Sequence, residues 1–128
     1  MRRSEIHIYQ HDLPVVGGAY RTARSSMASF DSTIIEIVTE NGITGYGETC
    51  PHGPVYQPHN AAGARAALRL IGPHLIGLNA LGIECIRDAM DEALSGHRYA
   101  KAAVDIALWD LAGKIYNARL CDLLGGAK

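Results

Sequence analysis

The segment GETCPHGPVYQPH, from Gly47 to His59, holds side chains that could form the wall of a small-molecule site. It contains a carboxylate, a thiol, a tyrosine and two histidines, and three prolines interrupt it. Proline fixes φ, so a loop of this composition presents its side chains from a stiff backbone. Ligand pockets combine a few placed polar groups of this kind with apolar surface. The segment therefore predicts a binding loop.

A metal site is the first alternative for this segment. Cys50, His52 and His59 offer ligands to zinc, but a closed structural zinc site normally needs a fourth ligand at a familiar spacing. Loop histidines that bond to backbone or water are the ordinary case, and no second ligand pair accompanies these, so we predict no metal site in the chain. We also predict no catalytic residue, because the sequence has no Ser-His-Asp order, no phosphate-binding glycine loop and no carboxylate pair in a plausible cleft.

The bulk composition is that of one ordinary soluble domain. The chain has 128 residues, of which 48% are hydrophobic and 20% charged, and its net charge is −1. Scattered basic residues give no electrostatic footprint for nucleic acid or an anionic membrane. Three widely spaced cysteines do not form a disulfide framework. Without an apolar signal segment or a membrane-spanning run, we expect a cytoplasmic protein.

The first third of the sequence predicts strands. Ile6 and Ile8 alternate with polar residues in a strand that should end before Pro14. A Gly- and Ser-containing segment from Val15 to Ser26, which carries Tyr20, Arg21 and Arg24, should be a mobile loop. Two β-rich runs then flank Asn41-Gly42, which predicts a hairpin with a two-residue type I′ turn. The result is a three-stranded antiparallel meander.

The rest of the sequence predicts helices of an α+β fold, gathered on one face of the sheet. The expected helices run from an Asn60 cap to about Ile71 with Gly72-Pro73 as the stop, from Leu81 to Leu94, and from about His97 to Asn117. On the third helix, Ile106 and Trp109 form a second apolar strip, which predicts that more than one side is covered. Asp110 and Lys114 should form an i,i+4 ion pair.

These motifs resemble a known family. VTENGITGYGET, KAAVDIALWDLAGK and LLGG are similar to the N-terminal capping domain of the enolase superfamily, in the mandelate racemase and muconate lactonizing enzyme branch. The likeness extends from the first strand to Gly126, with Tyr46 at a position where relatives commonly have tryptophan. HDLP, GETCPHGPVYQPH and GHRYAKAAVDIA further resemble members that act on proline derivatives, such as hydroxyproline betaine epimerases and cis-3-hydroxyproline dehydratases.

The resemblance implies where the missing chemistry resides. In such enzymes a following (β/α)8 barrel supplies acidic ligands for Mg²⁺ and the bases that abstract the proton α to a carboxylate. That barrel is absent from these 128 residues, so residues 1–128 are expected to be a single capping domain, or lid. Its junction to the barrel would be residues 120–128. The chain would contain no cofactor of its own.

The resemblance also identifies the expected substrate-binding residues. Two capping-domain loops set substrate choice in this family, and they correspond here to residues 15–27 and about 50–60. Tyr56 is the leading candidate, since its ring could pack on a pyrrolidine ring or attract a quaternary ammonium. Tyr20, Met27 and His52 complete the predicted set. A tyrosine that merely covers its loop is the alternative for Tyr56.

Two functions of different classes follow. The first is the specificity lid of a Mg²⁺-dependent racemase, epimerase or dehydratase of a small carboxylate, inactive by itself and part of a homo-oligomer. The second is a stand-alone binding or self-assembly module, since a lid without its barrel exposes apolar surface.

Overall fold

The computed structural model describes residues 1–53 and 56–126, so the predicted contribution of Pro54 to the loop lies outside the described residues. Antiparallel strands precede helices, as the sequence predicts. The elements are β1 (Arg3–Pro14), β2 (Tyr20–Arg21), β3 (Ser26–Met27), β4 (Ser29–Thr39), β5 (Thr44–Thr49), α1 (Ala61–Leu75), α2 (Ile83–Ala93), α3 (Arg98–Tyr116) and α4 (Leu120–Leu123).

The main sheet has the predicted antiparallel meander, in the order β1-β4-β5. β1 continues one residue further than predicted, because Pro14 still lies opposite Ser29. β1 is an edge strand, where a residue without an N–H is tolerated. The segment predicted as a loop between β1 and β4 contains a short hairpin, in which β2 and β3 pair Tyr20 with Met27.

The turn between β4 and β5 differs from the prediction. The Thr39 N–H donates to the Ile43 carbonyl oxygen (2.9 Å), and the Gly42 N–H donates to the Thr39 carbonyl oxygen (2.8 Å). Three residues therefore form the loop, and Gly42 has a positive φ while Asn41 does not. A type I′ turn requires positive φ at both central residues, so that prediction is wrong. Glycine at the left-handed position of a three-residue loop satisfies the same strand twist.

Helix α1 begins at the predicted cap but runs past the predicted stop. The Asn60 side-chain oxygen accepts from the Gly63 N–H (2.9 Å), as an N-cap should. Pro73 lies inside the helix, which ends at Leu75. Ile71 and Leu75 are fully buried, and the burial of Leu75 offsets the helix-breaking tendency of proline in the last turn.

Helix α3 lies directly on the sheet, closest to β5. A Cβ on Gly47 would collide with the Ala103 carbonyl oxygen, so a side chain at this position is incompatible with the observed packing. The side chains of Asp110 and Lys114 form the predicted ion pair (2.6 Å). They also bind β5, because Asp110 accepts from the Tyr46 N–H (2.8 Å) and Lys114 donates to the Thr44 carbonyl oxygen (2.7 Å).

The core lies between the inner face of the sheet and the helices. Its largest buried apolar side chains come from β4 and from all three long helices: Ile35, Ile37, Leu68, Ile71, Leu75, Ile86, Met90, Val104, Leu108 and Leu111. The predicted cover over the second apolar strip of α3 is not formed by the described residues. Ile106 remains 50% exposed, and Trp109 is half-buried.

Candidate functional site

A cavity of about 500 Å³ lies where the two predicted binding loops meet. Its surface is mainly apolar, and it is lined by Thr22, Ala23, Arg24, Ser25, Met27, His52, Gly53 and Tyr56. One group of lining residues belongs to the hairpin between β2 and β3, and the other belongs to the segment between β5 and α1. The sheet and the first turn of α1 therefore bring together residues that are far apart in sequence.

An aromatic cluster holds the two loops against each other. The His52 ring lies 5.1 Å from that of Tyr20 and 4.9 Å from that of Tyr56, both edge-on. Phe30 on β4 completes the cluster, with its ring centroid 5.4 Å from that of His52. Edge-to-face geometry at these distances is favourable for aromatic rings. His52 thus contacts a ring from the first loop, one from the sheet and one from its own loop.

The predicted binding residues occupy different positions in this arrangement. Tyr56, His52 and Met27 line the cavity. Tyr56 is 76% exposed, so its ring lies at the rim and is free to contact a ligand. Tyr20 does not line the cavity and instead packs behind it, against His52 and Phe30. Its geometry is that of a supporting residue.

Arg24 is a lining residue that the candidate set omits. It is the cation among the residues around the cavity, and a guanidinium can donate several hydrogen bonds to ligand oxygens. The available signal was weak, because a cation in a Gly- and Ser-containing loop is usually only solvated. Arg24 lies beside the second loop only in the folded chain, where both line the same cavity.

His59 is not among the residues that line the cavity. Its ring stacks on that of Tyr99 at 4.2 Å, with an interplanar angle of 11°. The Tyr99 hydroxyl lies 3.2 Å from His97 Nδ1 at the start of α3. His59 therefore links the end of the second loop to α3, whereas His52 lines the cavity.

An ion pair fixes β4 to α1 beneath the binding loops. Arg65 donates to both carboxylate oxygens of Asp31, at 2.7 and 2.9 Å, and to the Thr33 hydroxyl at 3.1 Å. Its hydrogen bonds hold the pKa of Asp31 below the ordinary value. Nearby, burial raises the pKa of the Cys50 thiol, so this cysteine is mainly a protonated thiol at neutral pH.

Comparison with known proteins identifies the family. The N-terminal domain of the mandelate racemase / muconate lactonizing enzyme family matches residues 5–125. The chain belongs to this family. A curated cis-3-hydroxy-L-proline dehydratase from Roseibium aggregatum is 47% identical over 128 residues, which are 99% of this chain and 35% of the dehydratase.

Solved structures of this family have the same fold. A family protein from Roseovarius nubinhibens, crystallised with magnesium, has a TM-score of 0.94 and 42% identity, and the match covers all of this chain and 35% of that one. A dipeptide epimerase from Enterococcus faecalis with Mg and L-Leu-L-Tyr has a TM-score of 0.89 and 36% identity, covering 98% of this chain and 35% of that one. The chain thus spans about a third of the relatives that it matches.

The magnesium seen in family structures has no matching ligand set in the described part of this chain. Among residues 1–53 and 56–126, no three His, Cys, Asp or Glu side chains converge so as to hold a metal ion. His52 packs among aromatic rings and His59 stacks on Tyr99, which gives the zinc alternative no support. No described helix has the length and apolar character to cross a bilayer.

Proposed function

We propose that this chain is the specificity lid of a Mg²⁺-dependent racemase, epimerase or dehydratase that acts on a small carboxylate. The observation that carries the proposal is the cavity formed by two loops of a capping domain of this family. In this proposal the residues 15–27 and 50–60 contact the substrate and exclude water. The metal and the groups that move the proton belong to the remainder of a longer protein.

The lining residues favour a small substrate with a saturated ring and at least one polar oxygen. The Tyr56 ring offers an apolar face that can pack on a pyrrolidine ring or hold a quaternary ammonium. Met27 adds an adaptable apolar surface, and Arg24 can donate to a ligand oxygen. Proline and hydroxyproline derivatives fit this description, and the similarity to the Roseibium aggregatum dehydratase supports the same class.

The chain's own contribution is positioning. Mg²⁺ held elsewhere would stabilise the negative charge that develops when the α proton leaves. A lid that encloses the substrate lowers the local dielectric and so strengthens that electrostatic effect. Substrate contacts on the lid also fix the ring relative to the groups that remove the proton.

A domain exchange tests the proposal. The corresponding third of the Roseibium aggregatum dehydratase is replaced by this chain, and turnover of cis-3-hydroxy-L-proline is measured with Mg²⁺. We expect activity from the hybrid and none from the 128-residue chain alone. In the hybrid, Tyr56→Ala should raise KM about 5- to 30-fold, as the loss of about 1–2 kcal/mol of ring contact implies.

Two matched variants sharpen the result. Tyr56→Phe keeps the ring and should keep KM close to that of the unmodified hybrid. Leu70→Ala shortens an exposed apolar side chain on α1, away from the cavity, and should also leave KM unchanged. An active hybrid whose KM is insensitive to Tyr56→Ala would contradict the pocket role, and robust turnover by the isolated chain would contradict the lid assignment.

One exposed surface bears on the alternative of self-assembly. Tyr46, Ile106, Trp109 and Leu120 are the large apolar residues of a hollow of about 670 Å³, here called the α3–α4 face, which Asp110, Lys114 and Arg119 also line. Exposed apolar patches of this kind commonly mark interfaces. We propose that this face receives the rest of a longer protein, and in the alternative a second copy covers it.

Sedimentation velocity at several concentrations separates the two. If a second copy covers the face, the wild-type chain associates, Ile106→Glu is monomeric, and Leu70→Glu on α1 associates like the wild type. A wild-type chain that stays monomeric throughout excludes the self-assembly alternative. It leaves the face available to the longer protein.

A further inference from the structure

The two binding loops are connected through the ring of His52. Within the first loop the hydrogen bonds are internal, such as those from the Ser25 N–H to the Thr22 hydroxyl (3.0 Å) and from the Thr22 N–H to the Ser25 carbonyl oxygen (2.8 Å). Within the second loop, the N–H groups of Tyr56 and Gln57 both donate to the Gly53 carbonyl oxygen (3.3 Å). Among residues 1–53 and 56–126, no hydrogen bond joins one loop to the other. Among these described residues, the contact between the loops is the packing of the His52 and Tyr20 rings.

His52 occupies the centre of that packing. Its edge-on contact with Tyr20 crosses from one loop to the other, and its contact with Tyr56 lies within the second loop. Phe30 belongs to β4, so its contacts with both His52 and Tyr20 tie the pair to the rigid sheet. A displacement of the hairpin that carries Tyr20 must move His52 or break this packing, and when His52 moves, the Tyr56 ring loses its neighbour.

We propose that His52 is a positioning residue that couples the two loops into one unit, so that the placement of Tyr56 over the cavity depends on Tyr20. The inference rests on the proposed function, since it assigns the coupling to the substrate-binding loops of the lid. Substrate selection then involves Tyr20 without direct contact. A ligand that orders one loop orders the other through the same ring, because rigidifying one element lowers the cost of ordering its partner.

The opposite end of the second loop supplies a natural control. His59 also packs on a tyrosine, but its partner Tyr99 is on α3 and belongs to neither loop. Removal of the His59 ring should therefore loosen the second loop from α3 while the contact between His52 and Tyr20 stays in place, so the first loop should lose less order than the second. His52 and His59 thus make similar ring contacts with different consequences for the first loop.

Amide hydrogen exchange of the 128-residue chain, followed by nuclear magnetic resonance, tests the coupling directly. The probes are the amides of residues 20–27 and those of Tyr56, Gln57 and His59, since Pro58 has no amide hydrogen. In His52→Ala, protection should fall in both segments by about two- to tenfold, which is the effect of losing an aromatic pair. In His59→Ala, where the His52 ring still contacts Tyr20, protection should fall more in residues 56–59 than in residues 20–27. In His52→Phe, which keeps a flat ring, both segments should retain wild-type protection.

Two results would overturn the inference. The first is a His52→Ala chain in which residues 20–27 keep wild-type protection while residues 56–59 lose it. The second is a His52→Phe chain as perturbed as His52→Ala, which would show that ring packing is not the cause. Circular dichroism verifies that each variant is folded, and His52→Phe carries the test if His52→Ala does not fold.

The same coupling has a kinetic signature in the hybrid dehydratase. Tyr20→Leu and Tyr56→Leu should raise KM by amounts that do not multiply in the double variant, because each disrupts the same unit. Independent, multiplying effects would contradict the coupling. Hydrogen exchange is measured without enzyme activity, so it tests the coupling separately from the lid function. An inactive hybrid, together with loss of protection in both segments of His52→Ala, would refute only the proposed function.

Discussion

The Gly47→Ala substitution is the most severe test of how the sheet and α3 fit together. A Cβ at this position would collide with the Ala103 carbonyl oxygen and lie 2.9 Å from the Ala107 nitrogen. Both obstructing atoms are backbone, so no side-chain rotation can relieve the overlap. The methyl group can be accommodated only if α3 lifts from β5, which disturbs a fully buried contact.

The expected cost is at the upper end for overpacking, about 3 kcal/mol or more. A domain of this kind has a total stability of about 5–15 kcal/mol, so the loss is a large fraction of it. With an unfolding entropy of about 2.1 cal/mol/K per residue, each kcal/mol corresponds to about 4 °C in Tm for a chain of this length. The melting temperature should therefore fall by about 11 °C or more.

Urea and thermal unfolding followed by circular dichroism measure the effect, with Gly63→Ala as the matched control. The same methyl group on α1 meets the Tyr99 hydroxyl at 3.2 Å, and that atom is the end of a movable side chain. A helix also gains by up to about 1 kcal/mol when alanine replaces glycine. Gly63→Ala should consequently be close to wild type. A Gly47→Ala chain as stable as the control would refute the close approach of α3 to β5.

Three further changes have defined outcomes. Asn60→Ala should cost about 1 kcal/mol by removing the cap of α1, whereas Asn60→Asp should not, as chemical denaturation will show. Because the pKa of Asp31 is lowered, its pair with Arg65 stabilises the fold at pH values above the ordinary carboxyl pKa, and this stability is lost as the pH falls through the lowered pKa. The difference in the free energy of unfolding between wild type and Asp31→Asn at neutral pH should therefore disappear in acid. Arg3 is buried, its guanidinium has no hydrogen-bond partner among the described residues, and burial lowers its pKa to about 10. Arg3→Met should therefore raise the free energy of unfolding by about 1–3 kcal/mol in urea titrations. A clear loss of stability would show that the guanidinium has a partner.

Local sequence patterns predicted the elements well where a local rule was sufficient. Asn60 caps α1 because the cap is a contact within one turn. The turn at Asn41-Gly42 was placed correctly but assigned the wrong type, since the dipeptide is compatible with more than one loop length. Pro73 was expected to stop α1, and burial of Leu75, which depends on packing, outweighs that tendency.

The candidate site was predictable in part. Tyr56, His52 and Met27, which loop composition and a family resemblance indicated, line one cavity, and their contact with a substrate stays a prediction. Arg24 lines the cavity although the predicted set omits it, and Tyr20, which that set includes, packs on the His52 ring and does not line the cavity. Which side chains of two distant loops face the same space depends on the sheet register and on where α1 begins, and neither is a property of the loops themselves.

The sequence by itself determined the α+β order and the family, because these depend on periodicity, turn residues and motifs that are local in the chain. The tertiary structure alone decided that the glycine at position 47 is a contact surface for α3, that Asp110 and Lys114 hold β5, and that His52 joins the loops. Each of these is a contact between residues brought together only when the helices bury their apolar faces on the sheet. Their positions in space follow from burial of the whole domain.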